Sequence, residues 1–372
     1  MIKKLKGHTN YVSSVAFNYD GTMLASGSWD QTIKLWNVNT NECAGTLKDH
    51  TDYVNSVAFN TDGMLASGSW DKTIKLWDIS TMTCVGTLEG HTFPIMSVAF
   101  NPDGNILASG SGDKTIKLWD IFTMACIGTL EGHTDYVGSV AFNTYGLLAS
   151  GSWDKTIKVW DISTMTYIVT LEGHISAVNS VAFNTDGLLA SGSSDKTIKL
   201  WDISTMTCLM TLEGHISSVK YVAFNGAGNM LASGSWDKTI KLWDISTMNC
   251  VGTLEGHTSI VRSVAFNGDG MMLASASDDH RIKLWDIPTM TCVGTLEGHT
   301  DYVRSVALKG DGLLASGSDD HTINLTHIYT KKFVKTALLT MNRRGLVDDV
   351  IDNIMEKLGI IDRKGKITGC VI

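Results

Sequence analysis

Eight near-copies of one unit fill most of this chain, and that repetition constrains its fold more than any other property of the sequence. Histidines mark the period: His8, His50, His91, His133, His174, His215, His257 and His299 recur at steps of 41 or 42 residues. Behind each comes an apolar alternation such as VNSVAFN (Val54 to Asn60), then a Gly-centred turn such as TDG. A second alternation (MLASGS), a tight turn (WDKT), a third run (IKLWD) and a fourth (TCVGTL) complete the unit. Period-2 runs separated by Gly, Asp and Asn predict short strands joined by hairpins. One such unit cannot bury both of its faces, so the units must stack on their neighbours. Repetition thereby replaces the usual expectation of two or three separate cores for 372 residues.

Four strands per unit at this period, with G-H near the start and W-D near the end, resemble the WD-repeat β-propeller family. The resemblance implies an all-β fold: an eight-bladed propeller of four-stranded antiparallel blades over residues 1–340. A C-terminal tail, 341–372, follows it. The near-identical copies with variable rim positions are also similar to the propeller portion of fungal heterokaryon-incompatibility proteins. Closure of the ring has two candidate strands. MIKKLKGH aligns with CVGTLEGH, so Ile2 to Leu5 can complete the last blade, and Phe333 to Leu338 can do so from the other end. The family's usual N-terminal closure is the favoured expectation.

The resemblance further assigns each blade a buried hydrogen-bonded tetrad, in the second blade His50, Ser67, Asp71 and Trp77. Elementary chemistry supports such a set, because a buried imidazole, hydroxyl and indole N–H each need a partner. The turn Asp and the Ser four residues before it recur in all eight copies, and the Trp in seven, with Thr326 in the eighth. The histidines are therefore read as structural, not catalytic or metal-binding, and the eighth blade as the loosest.

Two clusters vary between otherwise matching copies. One is the residue before the turn Asp: Trp29, Trp70, Gly112, Trp153, Ser194, Trp236, Asp278 and Asp319. The other is the segment after G-H, from TNYVS in the first copy to TDYVR in the last. Packing of the shared fold does not dictate a slot that varies. In the family both clusters surface at one end of the propeller, where partners dock. They predict a ring bearing Tyr11, Trp29, Tyr53, Trp70, Tyr136, Trp153 and Trp236, residue types that supply most interface hot spots. Lys220, Arg262 and Arg304 occupy one slot in three consecutive copies and form a basic arc. That arc suggests an alternative, recognition of a phosphopeptide or acidic motif, because arginine binds phosphate bidentately. Neighbouring Asp278 and Asp319 weaken it by offering partners within the chain. DDH, at Asp278 to His280 and again at Asp319 to His321, offers carboxylate and imidazole ligands, but a solvated turn is the better reading.

A net charge of −8 argues against a nucleic-acid backbone binder, and no segment reaches the eighteen or so apolar residues of a membrane span. MIKKLKGH has no apolar stretch behind it, so no signal peptide is expected. Six of seven cysteines (Cys43, Cys84, Cys126, Cys208, Cys250, Cys292) share one slot of successive copies, too far apart for disulfides. They read as small buried hydrophobes in a reducing compartment, cytoplasmic or possibly nuclear. Leu346, Val347, Val350, Ile351, Ile354, Met355 and Leu358 follow the stripe of an amphipathic helix, for docking on the propeller, a partner or a second copy. Cys370 lies one residue too late for prenylation. Phosphate-loop, metalloprotease and nucleophile-elbow patterns are lacking. The sequence thus predicts a scaffold or adaptor for a protein or peptide, without catalytic residues, metal or cofactor. A hydrolase with its site at the channel mouth and a scaffold self-assembling through the tail are the alternatives from other classes.

Overall fold

A computed structural model describes residues 2–310, 312–329 and 370–371. Strands Val12–Phe17, Met23–Ser28, Thr32–Asn37 and Glu42–Lys48 form the first blade, each pairing antiparallel with the next from the channel outward. Six more blades repeat that order, and the described residues make eight blades in all. The eighth is completed from the N terminus: Lys3–Lys6 pairs antiparallel with Thr322–Tyr329, Lys3 facing Leu325 and Lys6 facing Thr322. N-terminal closure is thus the arrangement adopted, with Leu5 in the core between the last and first blades. Cys370 and Val371 pair in parallel with Ile328 and Tyr329. The helix expected over 346–358 and the competing strand Phe333 to Leu338 lie outside the described residues.

The core is a ring of inter-blade clusters, as the stacking argument requires. Ala66, Ile74, Leu76 and Leu88 of blade 2, for example, pack against Ile95, Val98, Leu107 and Trp119 of blade 3. Glycine in the S-G-S run permits this approach: a Cβ at Gly68 would stand 2.6 Å from Ile95 Cγ2. A belt of serines ties the innermost strands together. Val57 N donates to Ser14 Oγ (3.3 Å), and Val15 N donates to Ser305 Oγ (3.4 Å) across the closing junction. At Tyr221 the belt is interrupted, a tyrosine standing where the other copies carry serine.

Two findings refine the sequence reading. Five of the six repeat cysteines are exposed and Cys84 is partly so, contrary to the expectation of buried thiols. They sit on the outermost strand, beyond which no further sheet packs, and a register shift opposite the tetrad Trp turns them to the rim. In blade 8, Thr326 leaves the junction with blade 7 without an indole. There Asn324, buried in place of the lysine of other copies, has no partner for its amide among the described residues.

Candidate functional site

The tetrads form in every blade as far as their residues allow. In blade 2, His50 Nδ1–H donates to Asp71 Oδ2 (2.6 Å), Ser67 Oγ lies 2.8 Å from His50 Nε2, and Trp77 Nε1–H donates to Ser67 Oγ (2.8 Å). Thr51 N and Thr73 N complete the shell of Asp71 at 3.0 and 2.9 Å. Burial by itself raises each turn carboxyl. The facing imidazole and the hydroxyl and amide donors outweigh it, holding Asp71 well below the ordinary carboxylate range and Asp279 at about 2. These groups are committed to the fold and leave no histidine of the tetrads free to act on a ligand. Asp78, the second Asp of the blade-2 motif, caps the lower turn by accepting from Ser80 N and Oγ (2.8 and 2.6 Å).

The two variable clusters meet at the same end of the molecule, here called the upper end. A backbone bond joins them in each blade: Trp70 N donates to Tyr53 O (2.8 Å), Trp153 N to Tyr136 O (2.9 Å), and Asp278 N to Ile260 O (3.0 Å). The slot before the turn Asp therefore sits over the loop after G-H whatever residue fills it. Side chains there then divide into three groups. Tyr11, Trp29, Tyr53 and Trp70 form one continuous stack across blades 1 and 2, with Trp29 lying flat on Tyr53 at 4.6 Å and 9°. Tyr136 and Trp153 pair in blade 4 at 5.2 Å. Trp236 of blade 6 lies apart from both and meets Lys220 Nζ at 5.5 Å from its ring centroid. Trp70, Trp153 and Trp236 are 37, 45 and 46% exposed, while Trp29 is largely covered and its Nε1 has no hydrogen-bond partner among the described residues.

The basic arc divides as well. Arg262 holds Asp278 bidentately through Nε and Nη2, and Arg304 holds Asp319 in the same way. Arg304 also lies between Tyr11 and Trp29, 5.4 and 5.1 Å from their centroids. Both guanidinium groups are therefore occupied from within. Lys220 has no such carboxylate among the described residues and donates instead to Asn179 Oδ1 at 3.5 Å. His280 and His321 pack on Tyr302 and Tyr11. Below the ring runs a channel of about 700 Å³, lined by the inner strands and reached by Tyr221, Arg262 and Arg304.

Sequence reasoning gave Ser194 no role beyond its place among the variable residues before the turn Asp, and passed over Asn179, Ser218 and Tyr221. These four gather around or below the mouth between blades 5 and 6, with Tyr221 one position after Lys220. One signal was available: in that slot the other copies carry Ser14, Ser56, Ser97, Ser139, Ser180, Ser263 and Ser305, and only this one Tyr221.

Closed antiparallel blades, internal tetrads and a variable upper ring define a repeat propeller whose conserved chemistry is architectural and whose differences lie on one face. The sequence pattern of the WD domain, G-beta repeat, matches residues 1–37, 41–78, 82–120, 124–161, 165–202, 206–244, 248–286 and 290–326, and the chain belongs to that family. It is 56% identical over 36 residues to the guanine nucleotide-binding protein subunit beta of Schizosaccharomyces pombe, covering 10% of this chain and 12% of that one. Over 38 residues it is 45% identical to the small ribosomal subunit protein RACK1 of Caenorhabditis elegans, again 10% and 12% of the two chains. These matches are about one repeat long and span a small fraction of either relative. Among solved structures, the computationally designed Ika8 protein superposes with a TM-score of 0.80 at 36% identity, covering 87% of this chain and 98% of that one.

Proposed function

We propose that this chain is a non-catalytic interaction scaffold that binds a protein or peptide on its upper ring. One observation carries the reading. The same backbone turn is built whether the slot before the turn Asp holds Trp, Gly, Ser or Asp, so the fold does not require indole there. Yet three indoles stand exposed in that slot, at Trp70, Trp153 and Trp236. Each offers a large rigid surface that gains most by being covered. The names of the relatives agree with such a role, one being a subunit of a guanine nucleotide-binding protein and the other a protein of the small ribosomal subunit. The ring's acids Asp278 and Asp319 are tied to arginines, a structural use of those carboxylates that agrees with the non-catalytic part of the reading.

The test is affinity capture with the wild-type chain and with a Trp70→Ala, Trp153→Ala double variant whose fold is verified by circular dichroism. The proposal expects the wild type to retain partners that the double variant loses. Equal recovery by both would remove the ring as the binding surface.

A further inference from the structure

Of the three consecutive cations on the ring, two are neutralised and one is not. Asp278 and Asp319, nearly buried, each take both oxygens to one guanidinium. Lys220 has no carboxylate within ion-pair distance among the described residues, and only the amide oxygen of Asn179, at 3.5 Å, approaches it. Its surroundings are built. Asn179 Nδ2 is fixed by donating to Val219 O (2.8 Å) and Ser194 Oγ (2.9 Å). Ser218 Oγ donates to Ser194 Oγ as well (3.1 Å), so Ser194 accepts from both sides and its own hydroxyl proton has no acceptor among the described residues. Trp236, nearly half exposed, walls the other side of the ammonium group.

We propose that Lys220, Ser194 and Trp236 form a receptor for a single carboxylate, the side chain of a Glu or Asp on the bound partner; the inference rests on the reading of the ring as the binding face. Lys220 Nζ lies at the Oδ1 end of the Asn179 amide and Ser194 Oγ at its Nδ2 end, so a charged donor without a carboxylate and a neutral hydroxyl, among the described residues, flank one side chain. A carboxylate accepts from both through its two oxygens, and its methylene stem lies along the indole. Burial and the like charge of Arg262 lower the Lys220 pKa, as expected for a cation without a counter-ion. An incoming carboxylate reverses that cost. A phosphate dianion is a poorer fit. It needs several positive donors, and here the neighbouring cation, Arg262, is already matched by Asp278, a carboxylate that repels a second anion. The ring slot explains why the site occurs once. In blade 5 the residue before the turn Asp is Ser194, small enough to leave the lysine of the next blade accessible and polar enough to share its ligand.

The experiment follows the indole N–H resonance of Trp236 in the full chain while N-acetyl-glutamate N-methylamide is titrated in. The glutamine analogue and inorganic phosphate are run as separate arms. A saturable shift with the glutamate probe alone is expected. Lys220→Met should weaken that binding by about tenfold or more, the value of one charge-assisted contact, while Lys220→Arg retains it and Ser194→Ala weakens it less. An equal response to the glutamine analogue, an unchanged response in Lys220→Met, or tighter binding of phosphate would each overturn the proposal. The outcome is separable from that of the broader reading, because the Trp70→Ala, Trp153→Ala variant leaves Lys220, Ser194 and Trp236 in place. Partner capture surviving that double variant sinks the ring as the binding face, whereas a silent glutamate titration sinks only the carboxylate receptor.

Discussion

Ser67 shows how much one hydroxyl can hold. Its Oγ lies between the imidazole of His50 and the indole of Trp77, at 2.8 Å from each, with no exposure of its own. Replacing it by alanine leaves a buried ring nitrogen and a buried indole N–H unpaired together. The expected loss is about 2–4 kcal/mol, more than the roughly 1 kcal/mol of a single hydrogen bond, because orphaned polar groups carry their full desolvation penalty. Denaturant unfolding of Ser67→Ala measures it, and a loss near zero would show that the tetrad is not a coupled network. The carboxylates add a pH signature. Their folded pKa values lie below those of the unfolded chain, so their stabilisation is fully present above about pH 4, where carboxyls of the unfolded chain are ionised. It is lost as pH falls from there toward and through about 2, the value for Asp279. Melting temperature should therefore drop steeply below pH 4 as these carboxylates take up protons. A melting temperature that stays level from pH 4 down to 2 would contradict the role given to them.

At the scale of the blade, fit between neighbours decides more than strand propensity does. Gly68 faces Ile95 and Val98 of the next blade, and an added Cβ would stand 2.6 and 3.0 Å from their methyl groups. Gly68→Val should destabilise by about 1–3 kcal/mol through overpacking, measured by the shift of the denaturant midpoint. Blade 7 carries Ala276 in the equivalent place, so Gly68→Ala is expected to cost less than the valine variant. Strands, turns and tetrads were legible in the sequence because eight copies state the same local pattern, and each pattern has a local cause. The thiols were misread because period 2 distinguishes two faces of a strand but not an outermost strand from a central one. The split of the aromatic ring into a stack, a pair and a lone tryptophan was illegible too, since it depends on which residues adjoin across blade boundaries.

For the molecule as a whole, closure and face are the two properties that matter. Four residues at the N terminus complete blade 8, and Lys4 Nζ reaches Gly298 O (2.7 Å) and the tetrad carboxylate Asp320 (3.0 Å). Deleting residues 1–6 removes that strand and Leu5 from the core, and should lower the melting temperature markedly and expose blade 8 to amide exchange first. The same blade lacks the tetrad Trp and holds the amide of Asn324, unpaired among the described residues, so exchange in the intact chain should also begin there. Protection equal to that of blades 2 to 6 would contradict this account. That the ring closes was predictable from repeat number and sequence alignment; which residues stand exposed on it was not, because exposure is a property of the assembled face. The claim that this face does the binding is tested most directly with a partner recovered by capture and then purified. Its affinity would be measured by calorimetry for the wild type, for Trp70→Ala with Trp153→Ala, and for Tyr19→Ser with Tyr145→Ser on the lower end, where both tyrosines are exposed. The account predicts that the upper pair loses at least about a hundredfold in affinity, as removal of two hot-spot residues does, while the lower pair binds as the wild type does. Loss confined to the lower pair, with the upper pair unchanged, would contradict it.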